Sequence, residues 1–147
     1  MSHDLAALLP HKHPMLLLDR LITSDKDSIA IEITVRQDYP FTGHIIGSWI
    51  GLEFMAQTAG VLAAINSSGS AEEPKPGFLL GTRRYTAYVP EFLPGQKLRV
   101  DVTINSPNGS QMVSAKGVIA DEAGNLLCEA SLTLYQPGDD AIYLNNE

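Results

Sequence analysis

Between Arg36 and Glu72 the chain carries only two formally charged side chains, Asp38 and Glu53, and residues 45–65 are apolar almost throughout. A segment of that length and character has few homes. It crosses a membrane, or it forms a helix that protein encloses on nearly every side. Glu53 and Gln57 sit near its middle, and an acid at the centre of a bilayer costs about 2.5–3.5 kcal/mol on insertion scales. No Lys or Arg flanks it closely, the nearest being Arg36 and Lys75. The expectation is a buried helix with a few polar groups kept for a reason, and no membrane partner.

The rest of the chain must supply the enclosure. Residues 15–21 read as a strand, and 28–36 alternate as Ile29, Ile31, Ile33 and Val35, the period of a half-buried strand. The polar stretch 23–27 reads as the turn between them. Pro40, Gly43 and Gly47 break the pattern into a loop, and Ser48 is the expected N-cap of a helix running to about Asn66. Residues 67–77, with Pro74 and Pro76, read as a polar connector. Strands follow at 78–89, 96–105, 110–120 and 126–135, separated by Pro94-Gly95, Pro107-Asn108-Gly109 and Ala123-Gly124-Asn125. Residues 136–147 are acidic and turn-rich, a loose tail. One apolar helix among about six strands predicts an α+β fold, an antiparallel sheet wrapped around the helix in a single domain spanning 1–147. A second copy of the chain would complete the enclosure.

Composition narrows the function classes. With 147 residues, 44% of them hydrophobic, the chain can bury one real core. Its one cysteine, Cys128, excludes an internal disulfide and suits a reducing cytoplasm; it reads as a buried core thiol. A net charge of −7 argues against a nucleic-acid partner, because phosphate neutralisation needs a basic face. One Cys and four His, three of them within the first thirteen residues, make no metal site. The first ten residues lack the basic and apolar runs of a signal peptide.

The candidate chemistry lies where the loop meets the helix. A carboxylate inside an apolar helix is costly unless paired, and desolvation raises its pKa, the state a general acid needs. Glu53 is therefore a candidate acid, or else a structural group that caps a loop or pairs with an arginine across a subunit contact. Gln57, one turn on, is placed to hydrogen-bond or orient Glu53 or a ligand. His44 precedes the helix in a glycine-bounded loop; it is a candidate proton carrier, or a surface residue. The amides of Ser48, Trp49, Ile50 and Gly51, at the helix N-terminus, are placed to polarise a carbonyl.

These residues resemble a known family. The run Leu9-Pro10-His11-Lys12-His13-Pro14-Met15-Leu16-Leu17-Leu18-Asp19-Arg20 is similar to the opening "LPHRxPxLLxDR" of 3-hydroxyacyl-acyl-carrier-protein dehydratases. Gly43-His44 followed by Glu53-Phe54-Met55-Ala56-Gln57 resembles their "GH…ExMAQ" segment. Residues 78–98, with Gly81, Arg84-Tyr85, Val89 and Pro94-Gly95, resemble "FxxGxxxxRFxxxVxPGDxL". The three matches occur in the family's order. The resemblance implies a hotdog fold, a dimer, an acyl-carrier-protein partner with a phosphopantetheine-linked substrate, and no cofactor. It implies that His44 is the base and Glu53 the acid, contributed by opposite subunits. Two departures stand out: the Pro-rich loop "GHFPxxPxxPG" is shortened, and Glu91-Phe92-Leu93 are inserted before Pro94-Gly95. The short loop, Trp49 and the "GTRRY" of Gly81 to Tyr85 look more like a divergent dehydratase branch from aryl-polyene gene clusters, whose members work beside a second hotdog subunit.

The implied reaction removes water from a (3R)-3-hydroxyacyl thioester, with the apolar face of Leu52, Met55, Ala56 and Ala59 lining a slot for the acyl chain. Ser48, Trp49, Gly51 and Gln57 join the expected substrate-binding set. Arg83, Arg84, Lys97 and Arg99 hold four of the ten basic residues against a single acid, Glu91, leaving six basic and sixteen acidic residues elsewhere. They read either as a landing patch for an acidic carrier protein or as a solvated sheet edge. His11 and His13 read as packing or capping groups, and Asp19-Arg20 as a structural ion pair. Two rival functions remain: a non-catalytic partner in a heteromeric dehydratase, and thioester hydrolysis with Glu53 activating water.

Overall fold

A computed structural model describes residues 16–39, 45–67, 78–105 and 112–135. The connector, the 136–147 tail, His11, His13 and His44 lie outside the described residues. In chain order the elements are strands β1 (Arg20–Ser24), β2 (Ser28–Thr34) and β3 (Ile46–Gly47), then a 3-10 turn (Ser48–Ile50) and helix α1 (Gly51–Ser67). Strands β4 (Phe78–Ala87), β5 (Glu91–Phe92), β6 (Lys97–Asn105), β7 (Met112–Asp121) and β8 (Leu126–Tyr135) complete the fold.

Six strands form one antiparallel sheet in the order β1-β2-β6-β7-β8-β4, and β3 pairs with β5 as a separate two-stranded ribbon. Period-two patterning decides which face meets the helix. In β6, Leu98, Val100, Val102 and Ile104 are buried while Lys97, Arg99 and Thr103 are exposed. Register aligns these residues with others of the same kind. Ile31, Val100, Ile119 and Cys128 stand opposite one another across four strands, all fully buried. The next row runs Ile29, Val102, Gly117, Ala130 and Tyr85. Its small members have a reason: a Cβ at Gly117 would fall 2.6 Å from the sulfur of Met55, which reaches down from the helix. Burial pushes the Cys128 thiol up, as suits a thiol within this core.

The helix itself fills the space the sheet leaves. Ser48–Ile65 is long and apolar enough to cross a membrane, yet 67% of it is buried inside the fold. Phe54, Met55, Val61 and Leu62 are fully enclosed. This is the hotdog arrangement, α+β with one central helix.

Local departures from the sequence reading have physical causes. Residues 16–19 do not join a strand: the Leu17 amide is spent on the Gln57 side chain rather than on a neighbouring strand. Asp19 and Arg20 do not pair with each other either. The Asp19 carboxylate accepts the Thr34 amide at 2.7 Å, while the Arg20 guanidinium donates to Glu32 across the strands at 2.9 Å. The first turn contracts to Asp25–Ser28, where one Asp25 oxygen accepts the amides of Asp27 and Ser28, each at 3.0 Å.

Candidate active site

The start of the helix is built from pieces distant in sequence. Ile46 and Gly47 pair with Phe92 and Glu91, so two of the inserted residues form a strand against the segment leading into the helix. Phe92 is buried and stacks on Phe54, with ring centroids 5.9 Å apart, and Tyr39 meets Phe54 edge-on at 6.0 Å. The Ser48 amide donates to the Pro90 carbonyl at 3.0 Å. Ser48 is not the N-cap: the chain makes a 3-10 turn there, with extended Gly47 at the cap position and no side-chain capping bond. The buried Ser48 presents its carbonyl instead to the Tyr85 hydroxyl and to the Gly51 amide. Two of the four amides expected to polarise a carbonyl, those of Ser48 and Gly51, are thus already committed.

Glu53 stands in the first turn of the helix and is half-buried rather than enclosed. Gln57, only 1% exposed, donates through Nε2 to a Glu53 oxygen at 3.2 Å and accepts the Leu17 amide on Oε1 at 2.9 Å. Both ends of the amide are thereby used. Of the alternatives open at position 57, the geometry matches orientation of Glu53, and it links the acid to the amino-terminal motif. Met55 is also no lining of an open slot, since it is fully buried against Gly117. Gly51 is likewise enclosed, under Tyr85 and Ile119.

What faces outward is a stripe at helical spacing. Trp49 is 57% exposed, and Leu52, Glu53, Ala56 and Gly60 are half-buried along the same side. The Trp49 indole lies over Gly47, where a Cβ would come within 2.4 Å of its nitrogen. Ile45 and Leu93, flanking the β3–β5 ribbon, are 64% and 58% exposed.

The four basic residues do not form one cluster. All are exposed, but Arg83 and Arg84 lie on edge strand β4 and Lys97 and Arg99 on β6. Strands β7 and β8 run between, a separation of roughly 14 Å at normal strand spacing. Arg99 is forked onto Asp101 at 3.0 Å, and Lys97 lies in the field of Glu32. Only Arg83 and Arg84 remain as a docking candidate.

Sequence reasoning missed two contributors. Phe92 was visible only as part of an insertion, and the Tyr85 hydroxyl only as one letter of a motif; both act through contacts more than thirty residues away in the chain.

Comparisons with known proteins give the family and the fold. The chain is 34% identical over 114 residues to the 3-hydroxyacyl-[acyl-carrier-protein] dehydratase FabZ of Allorhizobium ampelinum, covering 73% of this chain and 71% of that one. It superposes on the dehydratase heterocomplex ApeI:P from Xenorhabdus doucetiae with a TM-score of 0.83, 28% identity and full coverage of both chains. A hypothetical thioesterase protein from Streptococcus pneumoniae, in a mutant form, shares the fold alone: TM-score 0.63, 13% identity, over 82% of this chain and 91% of that one. The ApeP-like family, described as ApeP dehydratase, matches residues 3–145, and the chain belongs to it.

Proposed function

We propose that this enzyme dehydrates a (3R)-3-hydroxyacyl thioester carried by acyl-carrier protein to the trans-2-enoyl thioester. His44 takes a proton from C2, and Glu53 gives a proton to the departing C3 hydroxyl, so that water leaves and the double bond forms. Support comes above all from Glu53: a carboxyl on the outward side of an otherwise apolar helix, held by a buried glutamine that is itself tied to the Leu17 amide. The whole chain acts as one domain in the cytoplasm. Incubating the purified protein with 3-hydroxyacyl-carrier protein and measuring intact mass tests the reading. Loss of one water is expected; release of the free acid would replace dehydration with thioester hydrolysis.

A specific observation favours assembly with a second hotdog chain, identical or related. Ile45, Trp49 and Leu93 are exposed beside the half-buried Leu52 and Ala56, an apolar surface next to the acid. A partner seated there would cover that surface, and the family resemblance implies that the His44 of one subunit then works with the Glu53 of the other. The similarity to a heterocomplex of dehydratase subunits points the same way. A chain silent alone that gains turnover when a related hotdog subunit is added would identify a heteromer; light scattering of the active isolated chain as a dimer would identify a homomer.

A further inference from the structure

Tyr85 belongs to β4, yet its hydroxyl reaches the turn before the helix, thirty-seven residues earlier, and donates to the Ser48 carbonyl. Room for this approach is specific. Its row of the sheet carries Gly117 and Ala130, which leave space for Met55 and for a half-buried tyrosine ring. At the far end, a Cβ on Gly51 would stand 2.3 Å from the Tyr85 oxygen and 2.9 Å from Ile119 Cδ1. Helix α1 therefore begins on a glycine because the hydroxyl occupies the volume a side chain would need.

The turn is gripped on both sides. The Ser48 amide is held by Pro90 and its carbonyl by Tyr85. Hydrophobic contacts such as Phe92 on Phe54 are non-directional and fix a distance, whereas a hydrogen bond to a carbonyl fixes the rotation of a peptide plane. Because that peptide is planar and trans, orienting the Ser48 carbonyl points the Trp49 N–H the opposite way. One helical turn on from Trp49 stands Glu53. Burial pushes the Tyr85 phenol far up, so its hydroxyl stays a donor at any working pH.

We infer that Tyr85 is a positioning residue for dehydration, its hydroxyl setting, through the Ser48–Trp49 peptide, the pitch at which the helix presents Glu53. The inference rests on the dehydratase reading above. Tyr85→Phe keeps the ring and removes the hydroxyl, with its bond to the Ser48 carbonyl and its contact with the Cys128 thiol. Assayed where circular dichroism shows wild type and variant fully folded, it should lose about tenfold in kcat, the scale of about one hydrogen bond, with KM within twofold. Gly51→Ala should lower the melting temperature markedly, and Tyr85→Phe should suppress part of that loss by vacating the contested volume. An active wild type with an equally active Tyr85→Phe variant overturns this proposal alone, as does a Gly51→Ala defect identical in both backgrounds. Wild type without turnover, alone and with a second hotdog subunit, overturns the dehydratase reading instead.

Discussion

On the outer face of the sheet, Arg20 meets Glu32 and Arg99 meets Asp101, with the arginines more than half exposed. At the helix start, Phe92 stacks on Phe54, Gln57 bridges Glu53 and Leu17, and Tyr85 holds Ser48, largely out of water. The same kinds of contact carry different weight in the two places. Solvent competes for each charge on the sheet face, whereas at the helix start a lost partner leaves a cavity or an orphaned polar group. Stability and the proposed chemistry are thus concentrated around the helix start, and the outer sheet face is left free to vary its charge.

The largest expected effect falls on that start. Phe92→Ala removes a fully buried ring that stacks on Phe54 and anchors the β3–β5 ribbon. It should cost about 3–5 kcal/mol in urea unfolding, the range for truncating a buried aromatic. A loss below about 1 kcal/mol would mean that the ribbon is an ornament rather than a clamp.

Next come the two proposed proton carriers. Glu53→Gln and His44→Ala should each slow dehydration at least about a hundredfold, equivalent to about 2.7 kcal/mol of barrier, with the fold intact. Glu53 is half-buried, so its replacement should leave the unfolding midpoint nearly unchanged. Activity and stability would then separate at neighbouring helix positions: Phe92, through its contact with Phe54, governs stability and Glu53 activity. Near-wild-type turnover in either variant would remove that residue from its assigned role.

Gln57→Met joins the two quantities. It keeps the volume while removing the acceptor for the buried Leu17 amide and the donor to Glu53. The orphaned N–H should cost about 1–3 kcal/mol, and turnover should fall because Glu53 loses its orienting partner. If stability falls but turnover does not, the glutamine serves only the amino-terminal segment.

The same contrast explains what could be read from sequence. The sheet was legible because period-two alternation is a local signal: Ile29, Ile31 and Ile33, then Leu98, Val100, Val102 and Ile104, each declare a face. The helix was legible because its apolar run leaves a chain few options. The helix start was not. Ser48 has the chemistry of a cap, yet the β3–β5 pairing and the Tyr85 bond draw its backbone into a 3-10 turn. Likewise Leu16 to Leu18 look like a strand, but the Leu17 amide is spent on Gln57 forty residues away. Tertiary contacts overrode local preference where the candidate site is assembled. Glu53 and Gln57 were identifiable because a polar pair one turn apart stands out in an apolar run, whereas Tyr85 and Phe92 carried no such contrast.

On the sheet side the effects shrink. Arg83 and Arg84 are exposed on edge strand β4, apart from the Arg20–Glu32 and Arg99–Asp101 pairs of the outer face; their proposed role is the encounter with an acidic carrier protein. Reversing both to Glu should raise KM for carrier-bound substrate several-fold at low salt, because surface charges act mainly on association and are screened over about 8 Å at physiological ionic strength. Turnover of a small pantetheine thioester should be unaffected. Equal loss on both substrates in a folded variant would place these arginines with the helix start rather than with the outer face.

The smallest effect separates the two regions most cleanly. Arg99 is bound to Asp101 through three contacts of 3.0–3.3 Å, a geometry that would look strong if distance alone mattered. Both partners are substantially exposed, at 51% and 39%, and an ion pair in water gains little beyond what solvation already supplies. Double-mutant cycles on such pairs yield about 0.2–1 kcal/mol. Arg99→Ala should therefore shift unfolding by less than about 1 kcal/mol, and less again in high salt. The comparison with Gln57→Met is the decisive one: the bonds of Gln57, at 2.9 and 3.2 Å, are of nearly the same length as those of Arg99, but its partner amide is buried. If Arg99→Ala proved as costly as Gln57→Met, burial would not be what distinguishes the helix start from the sheet face.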